Sequence, residues 1–283
     1  MNICLASGKG GTGKTTIAVN LAASLDRPVH FLDCDVEEPN AHLFLDLAWR
    51  GEESVSVAVP EIDPARCNAC RKCLEICRFR ALTLIKGKML TFPELCHGCG
   101  GCQLVCPEGA VSDGKRLLGR LRFGDWRHIT FTGGESRVGE AMSPPLIRAV
   151  KGQAKESELT IIDAPPGTSC PMITALRGVD FAVMVTEPTP FGLHDLRLAV
   201  AAARRLALPI GLVVNRAGIG DERLADFARA ENIPILLEIP FDREIAAICS
   251  RGQLLVEALP VWRREFQRLF WRIERLCQGL DAA

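Results

Sequence analysis

Residues 8–15 read Gly-Lys-Gly-Gly-Thr-Gly-Lys-Thr, which fits G-x-x-x-x-G-K-[ST], and their setting restricts the fold more than any other stretch of the chain. The apolar run Ile3-Cys4-Leu5-Ala6 precedes them, an Ala- and Leu-rich stretch continues to Leu25, and Val29-His30-Phe31-Leu32 follows. That order predicts strand, glycine loop, helix and strand, a βαβ unit. Gly8, Gly10, Gly11 and Gly13 let the backbone turn its N–H groups inward, and the helix beyond adds the positive end of its dipole. A loop so built encloses phosphate oxygens. Lys9, Thr12 and Thr16 belong to it, Lys14 reaches toward β- and γ-phosphates, and Thr15 offers a hydroxyl to magnesium. A glycine loop without a ligand is the plainer reading, and the strand and helix on either side weigh against it.

From Ile129 onward, short apolar runs alternate with helical stretches: Ile129–Phe131, Leu159–Ile162, Phe181–Val185, Ile210–Val214 and Ile235–Ile239. The expected fold class is α/β, a doubly wound and mainly parallel sheet. A chain of 283 residues, 48% of them apolar, suffices for one large core with a small satellite. The satellite falls where the rhythm breaks. From about Pro60 to Asp113 the chain is cysteine-rich and short of long apolar runs, with Val55–Pro60 as its entry linker. Residues 1–59 and 113–283 are expected to form a discontinuous nucleotide-binding domain, and residues 60–112 an inserted small α+β unit.

Thirteen cysteines exceed what core packing ordinarily uses, and in a reducing compartment they serve as metal ligands more readily than as disulfides. Eight form two runs, Cys67-x2-Cys70-x2-Cys73-x3-Cys77 and Cys96-x2-Cys99-x2-Cys102-x3-Cys106-Pro107. Both resemble the bacterial ferredoxin pattern, in which three close thiolates hold one 4Fe-4S cluster while the fourth cysteine of each run ligates the other. On that resemblance Cys67, Cys70, Cys73 and Cys106 hold the first cluster, and Cys96, Cys99, Cys102 and Cys77 the second. Zinc knuckles compete for the same residues, although their cysteine pairs usually stand farther apart. Arg78 occupies the position after the last cysteine of the first run, where the ferredoxin pattern has proline. Arg71, Lys72, Arg78 and Arg80 either offset cluster charge or form an ordinary solvated face.

Lys plus Arg and Asp plus Glu both total 34, so no net positive field is available to hold nucleic acid. The opening residues do not form a secretory leader, no apolar run approaches a membrane span, and the expected location is the cytoplasm. Trp262, Phe266, Leu269, Phe270, Ile273 and Leu276 share one helical face, which is expected to pack on the sheet rather than on a membrane.

Three strand ends complete the pattern. Asp33-Cys34-Asp35 closes the second strand, Asp163 ends Leu159-Thr160-Ile161-Ile162 before Ala164-Pro165-Pro166-Gly167-Thr168, and Asn215 ends a later strand. Aspartates at such ends can simply cap a helix, and an asparagine can simply turn the chain. Together with DCDVEEPNAHLF, FPELCHGCGGC, GEAMSPPLIRAV, DAPPGTSCP and TEPTPFGLHDL, these residues make nearly the whole chain resemble one family. It is the MinD-superfamily P-loop ATPases with an inserted ferredoxin domain, related to the ParA, Mrp and nitrogenase iron-protein ATPases.

The resemblance implies ATP and Mg2+ as ligands beside the two 4Fe-4S clusters. It implies that Lys9 reaches the nucleotide of a partner subunit, in a homodimer or in a heterodimer with a paralogue, formed in the ATP state. Asp35 would orient or activate the attacking water, Asp33 would hold magnesium through its water shell, and Asp163 would sense magnesium or the γ-phosphate while Gly167 lets its loop reset. Asn215 would read the purine, and Gly218, where guanine-selective proteins carry aspartate, favours ATP over GTP. Cys170 stands at the offset from Asp163 where the nitrogenase iron protein ligates a bridging cluster, but no second ligand accompanies it, and a plain thiol is expected. The implied activity is ATP hydrolysis coupled to electron transfer with a redox protein. A spatial or assembly switch acting on an assembly partner, and an Mrp-like carrier of iron-sulfur clusters, are the alternatives.

Overall fold

β-Branched and aromatic residues favour strands, and each short apolar run named above forms one. The computed structural model describes residues 1–155 and 159–279. The first βαβ unit is β1 (Asn2–Ala6), α1 (Lys14–Ser24) and β2 (Val29–Asp33). A long strand, β3 (Ala48–Ile62), then leads into the cysteine-bearing segment, which holds α2 (Lys72–Ile76), the hairpin β4 (Leu82–Ile85) and β5 (Lys88–Thr91), and α3 (Gly101–Leu104). The chain returns along β6 (Val111–Trp126) and turns into β7 (Ile129–Ser136). The rest alternates: α4 (Pro144–Lys151), β8 (Leu159–Asp163), α5 (Cys170–Leu176), β9 (Phe181–Thr186), α6 (Pro190–Arg205), β10 (Ile210–Ala217), α7 (Arg223–Ala230) and β11 (Ile235–Pro240). Three helices close it: α8 (Arg243–Ser250), α9 (Leu255–Ala258) and α10 (Pro260–Cys277).

The nine-stranded sheet runs in the order β11-β10-β9-β1-β8-β2-β7-β6-β3. Strands from β11 through β7 are parallel, and β6 and β3 add an antiparallel edge. Parallel strands are buried on both faces, and two apolar layers cover this sheet. One joins α1, α9 and α10 to residues such as Phe31, Phe181 and Leu237. The other joins α4, α5, α6 and α7 to residues such as Leu32, Ile162 and Met184. The expected face of α10 lies inside the first layer, with Phe266, Leu269, Phe270 and Ile273 buried and Trp262 and Leu276 packed at its margin. No helix among the described residues is long and apolar enough to cross a membrane.

The route into the cysteine-bearing segment differs from the sequence reading. Val55–Pro60, expected as a linker, lies inside β3, because Val55, Val57 and Val59 alternate with smaller neighbours as an extended ribbon requires. β6 pairs with β7 only over Gly119–Trp126, yet its pairing with β3 continues out to Val111 opposite Ile62. A two-stranded arm therefore projects from the sheet and crosses both expected boundaries, 59/60 and 112/113, without a break. A register shift between Val55 and Ser56 marks the point where β6 parts from β7.

Candidate nucleotide and cluster sites

In a parallel sheet, ligands gather beyond the carboxyl ends of the strands where neighbouring connections diverge. β1 has β9 on one side and β8 on the other, and the glycine loop leaves its carboxyl end. Asp33 and Asp163 close β2 and β8 along the same edge, and Asn215 lies near the end of β10. Gly11 and Gly13 have φ of +77° and +86°, which L side chains adopt only with strain, and nothing stands within 4 Å of where side chains on Gly10 and Gly11 would begin. No side chain caps α1. The first N–H groups of α1 thus have no side-chain cap, and the buried Thr12 hydroxyl lacks a hydrogen-bond partner. This cradle suits phosphate oxygens.

Lys14 and Thr15 converge on one carboxylate. Lys14 Nζ lies 2.6 Å from Asp163 Oδ1 and 3.7 Å from Asp35 Oδ2, and Thr15 Oγ1 donates to Asp163 Oδ2 at 2.6 Å. Burial opposes charge on Lys14, but Asp163, Asp35 and Asp33 outweigh it and hold the ammonium above its ordinary range. Burial pushes the Asp35 carboxyl up to about 6 against the opposing pull of Lys14, and the charge of Asp163 adds to the rise. Asp33 is fully buried and is raised well above the usual carboxylate range, first by desolvation and then by Asp163. Its oxygens accept from the N–H groups of Asp35 and Ala41, both at 3.2 Å. It is Asp163, therefore, that touches the magnesium-type hydroxyl, while Asp33 braces the loop that carries Asp35.

Asn215 does not stand open toward a base. Its Nδ2 donates to the Thr12 carbonyl at 2.8 Å and its Oδ1 accepts from Arg216 N–H at 3.0 Å, so it ties β10 to the glycine loop. Lys9 Nζ is held 3.2 Å from Glu187 Oε2, and Arg216 Nη1 lies 2.8 Å from Glu187 Oε1. Glu187 lies within TEPTPFGLHDL without any local sign of this role, because its lysine stands 178 residues away in the chain, beyond the neighbouring strand β1. Gly167 has φ of +97° and donates its N–H to the Ser7 carbonyl at 3.0 Å, which anchors the loop after Asp163 to the start of the phosphate cradle. Thr16 lies on the first turn of α1, and Gly8 packs against the Asp195 backbone so closely that a Cβ would come within 2.3 Å of its carbonyl oxygen. Cys170 is exposed at the start of α5.

The two cysteine runs fold alike. Ala69 and Arg71 of the first have positive φ, as Gly98 and Gly100 do at the matching positions of the second, and a short helix follows in each case. Two cavities lie between them. One is lined by Cys67, Cys70, Cys73 and Cys106 with Ile62, Met89 and Val111. The other is lined by Cys77, Cys96, Cys99 and Cys102 with Val59, Phe79 and His97. Backbone N–H groups point at three of the sulfurs: Ala81 to Cys77 at 3.3 Å, Gly98 to Cys96 at 3.4 Å and Ala110 to Cys106 at 3.3 Å. Among the described residues no three His, Cys, Asp or Glu side chains converge on one ion position. A set of four cysteines around one cavity is a donor set that both iron-sulfur clusters and zinc take. Arg71, Lys72, Arg78 and Arg80 are all exposed.

A family model described as the CobQ/CobB/MinD/ParA nucleotide binding domain matches residues 3–256. An uncharacterized protein of Methanocaldococcus jannaschii is 33% identical over 266 residues, covering 91% of this chain and 91% of that one. The iron-sulfur cluster carrier protein of the same organism is 27% identical, over 98% of this chain and 85% of its own. Among solved structures, the septum site-determining protein MinD of Pyrococcus horikoshii, complexed with Mg-ADP, aligns with a TM-score of 0.58 at 20% identity, over 97% of this chain and 96% of that one. That likeness is one of fold.

Proposed function

We propose that this chain, a P-loop ATPase belonging to the CobQ/CobB/MinD/ParA nucleotide-binding family, uses ATP binding and hydrolysis to gate electron transfer through two 4Fe-4S clusters. One observation carries the reading: the eight cysteines line two cavities, and each cavity has the set of four that interlocked ferredoxin runs would give it. Residues 60–112 act in this reading as the cluster-bearing insertion, and residues 1–59 and 113–283 as the ATPase domain. The clusters supply one-electron storage at potentials set by their surroundings.

The chain's own residues supply the rest. Backbone N–H groups of Gly8–Thr15 hold the phosphates, Lys14 neutralises developing charge, and Thr15 with Asp33 or Asp163 orients magnesium. Asp35, ionised above about pH 6, accepts a hydrogen bond from the attacking water. Lys9 leaves Glu187 to reach the nucleotide of a second subunit, so the ATP form is dimeric. Release of γ-phosphate removes a partner of Lys14 and frees the loop at Gly167, and that rearrangement alters how the cluster segment meets a redox protein in the cytoplasm. Coupling need not be large: about 1.4 kcal/mol corresponds to about 59 mV for one electron.

Anaerobic redox titration with and without a non-hydrolysable ATP analogue tests the proposal. A nucleotide-dependent potential, or a nucleotide-dependent rate of electron transfer, is the expected result; identical values for both would refute it. The carrier reading has support in the 27% identical relative, an iron-sulfur cluster carrier protein. It requires labile clusters, so transfer of iron to an apo-acceptor from this protein would favour it.

A further inference from the structure

Burying a charge is costly unless an opposite charge and hydrogen bonds compensate it. Among the described residues, Lys14, Asp33, Asp35, Asp163 and Glu187 are buried at the nucleotide site, and away from it Arg116 is buried together with the side chain of Glu140. Arg116 lies on the projecting arm, opposite Val57, beyond the point where β6 parts from β7. Its guanidinium forms an ion pair with Glu140, the two side chains being 6% and 2% exposed, and its Nη2 donates to the carbonyl oxygen of Cys96 at 3.3 Å. Glu140 also accepts from Met142 N–H at 3.1 Å, and Arg137 beside it reaches Glu94 at 3.5 Å. Glu140 belongs to GEAMSPP and Glu94 to FPELCHGCGGC, two runs in which neither acid takes part in nucleotide chemistry or cysteine ligation.

The far end of this connection lies beside the nucleotide. Val36 follows Asp35, and its carbonyl accepts from Ser136 N–H at 2.8 Å. Its side chain fills the space over Gly134, where a Cβ would come within 2.6 Å of Val36 Cγ1. Ser136 ends β7, and the chain passes from there into the loop that carries Glu140 and on into α4. α4 packs on α5, the helix that follows the Asp163–Thr168 loop.

The two cysteine sets stand differently toward this connection. The cavity of Cys77, Cys96, Cys99 and Cys102 is lined by Ala58, Val59 and Pro60, nearer the sheet along β3, whereas that of Cys67, Cys70, Cys73 and Cys106 meets β3 at Ile62. Gly98 abuts β3 so tightly that a Cβ would lie 2.4 Å from Val57 Cγ2. Arg116 and Val57, a cross-strand pair, thus grip the second cysteine run from both strands of the arm.

We propose that Arg116 is a positioning residue that ties the Cys96 peptide to the nucleotide-binding body through Glu140. As a consequence the cluster held by Cys77, Cys96, Cys99 and Cys102, rather than its neighbour, is the one that responds to nucleotide. The proposal rests on the reading above that the cysteine sets hold clusters. A planar guanidinium anchored at two points resists rotation, so displacement of Glu140 moves the Cys96 carbonyl dipole with it. The Gly98 N–H that points at Cys96 Sγ moves in the same loop, and hydrogen bonds to ligating sulfur tune a cluster.

The test uses the full chain, reconstituted anaerobically, as wild type, Arg116→Lys, Arg116→Gln and Glu140→Gln, with iron content measured for each. Redox titration followed by electron paramagnetic resonance, with and without a non-hydrolysable ATP analogue and magnesium, reports on both clusters. Cys99→Ser and Cys70→Ser identify which signal belongs to which set. The expected result is a nucleotide-dependent shift confined to the signal that Cys99→Ser alters. That shift falls by more than half in the glutamine variants and is partly restored in Arg116→Lys, while analogue affinity stays within twofold of wild type. A shift that persists in full in both glutamine variants, or that belongs to the Cys70 signal, overturns the proposal and leaves nucleotide gating standing. Absence of any shift in wild type removes gating and this proposal together. Loss of iron from both glutamine variants makes the pair a structural tie alone and also overturns it.

Discussion

The body buries Phe31, Phe131, Phe181, Phe266 and Phe270 almost completely, whereas the segment between β3 and β6 leaves Phe79, Phe92, Leu95 and Leu104 in solvent. The body's two apolar layers each draw on many strands and helices. The segment's own buried cluster is Val59, Ala81 and Cys96 with Val57 and Cys77 beside them, so cysteine forms part of the little core it has. At about 25 cal/mol per Å² of apolar surface, such a core cannot offset the backbone entropy of the residues it orders. The difference teaches that one chain combines a part held by burial with a part that burial alone does not hold, and whose order, on the function proposed above, would depend on thiolates binding metal.

Removing iron should therefore give the largest and most localised effect. Thiolate-metal sites contribute on the order of 10 kcal/mol to small domains. Iron-free protein is expected to be cut by proteases between residues 63 and 110, while the melting transition of the body moves little. Protease resistance of that segment without iron, or collapse of the body with it, would break the comparison. The reciprocal change lies in α10. Phe270 is 1% exposed in the layer formed by α1, α9 and the sheet, and Phe270→Ala should cost about 3–5 kcal/mol. A calorimetric melt should show that loss with iron per chain unchanged.

The two regions were also legible to different degrees. The glycine loop and the cysteine runs stand out in the sequence because each repeats fixed residues at fixed spacing. The strands β1, β2 and β7–β11 could be read because burial on both faces gives each a short apolar run. β3 and β6 escaped: Ala48–Ile62 and Val111–Trp126 carry charged residues along ribbons wet on one or both faces, and the hydrophobic signal drops with burial. What orders them is partly lateral, as where Arg122 lies 3.9 Å from the centre of the Trp49 ring. Glu187 and Glu140 escaped for another reason. Each acts through an ion pair distant in sequence, and no local pattern encodes such a partner. The left-handed Ala69 and Arg71 likewise leave no trace, since their glycine equivalents appear only in the second run.

A third test separates the regions at the level of ligand rather than stability. At Gly13 a side chain meets both a φ of +86° and Asn215 Nδ2 at 2.4 Å. Gly13→Ala should distort the cradle by about 1–3 kcal/mol, weakening ATP binding roughly 5- to 150-fold by equilibrium titration. Iron content and cluster spectra should not change. A matching loss of iron would mean that the glycine loop and the cysteine segment fold as one unit.

The smallest expected effect is the acid limb of ATP hydrolysis, and it belongs to the body alone. Burial raises the Asp35 carboxyl to about 6, so the group proposed above to orient the attacking water carries a proton below that pH and a charge above it. Hydrolysis at limiting substrate should thus be fully present near neutrality, fall to about half at pH 6 and decline roughly tenfold for each unit below. Lys14 adds no limb in this window, because Asp163, Asp35 and Asp33 keep its ammonium charged well past neutrality. Asp35→Asn should remove most of the rate, and whatever activity survives should lose the acid limb. A limb that survives in the asparagine variant would assign the titration to another group and move the water-orienting role away from Asp35.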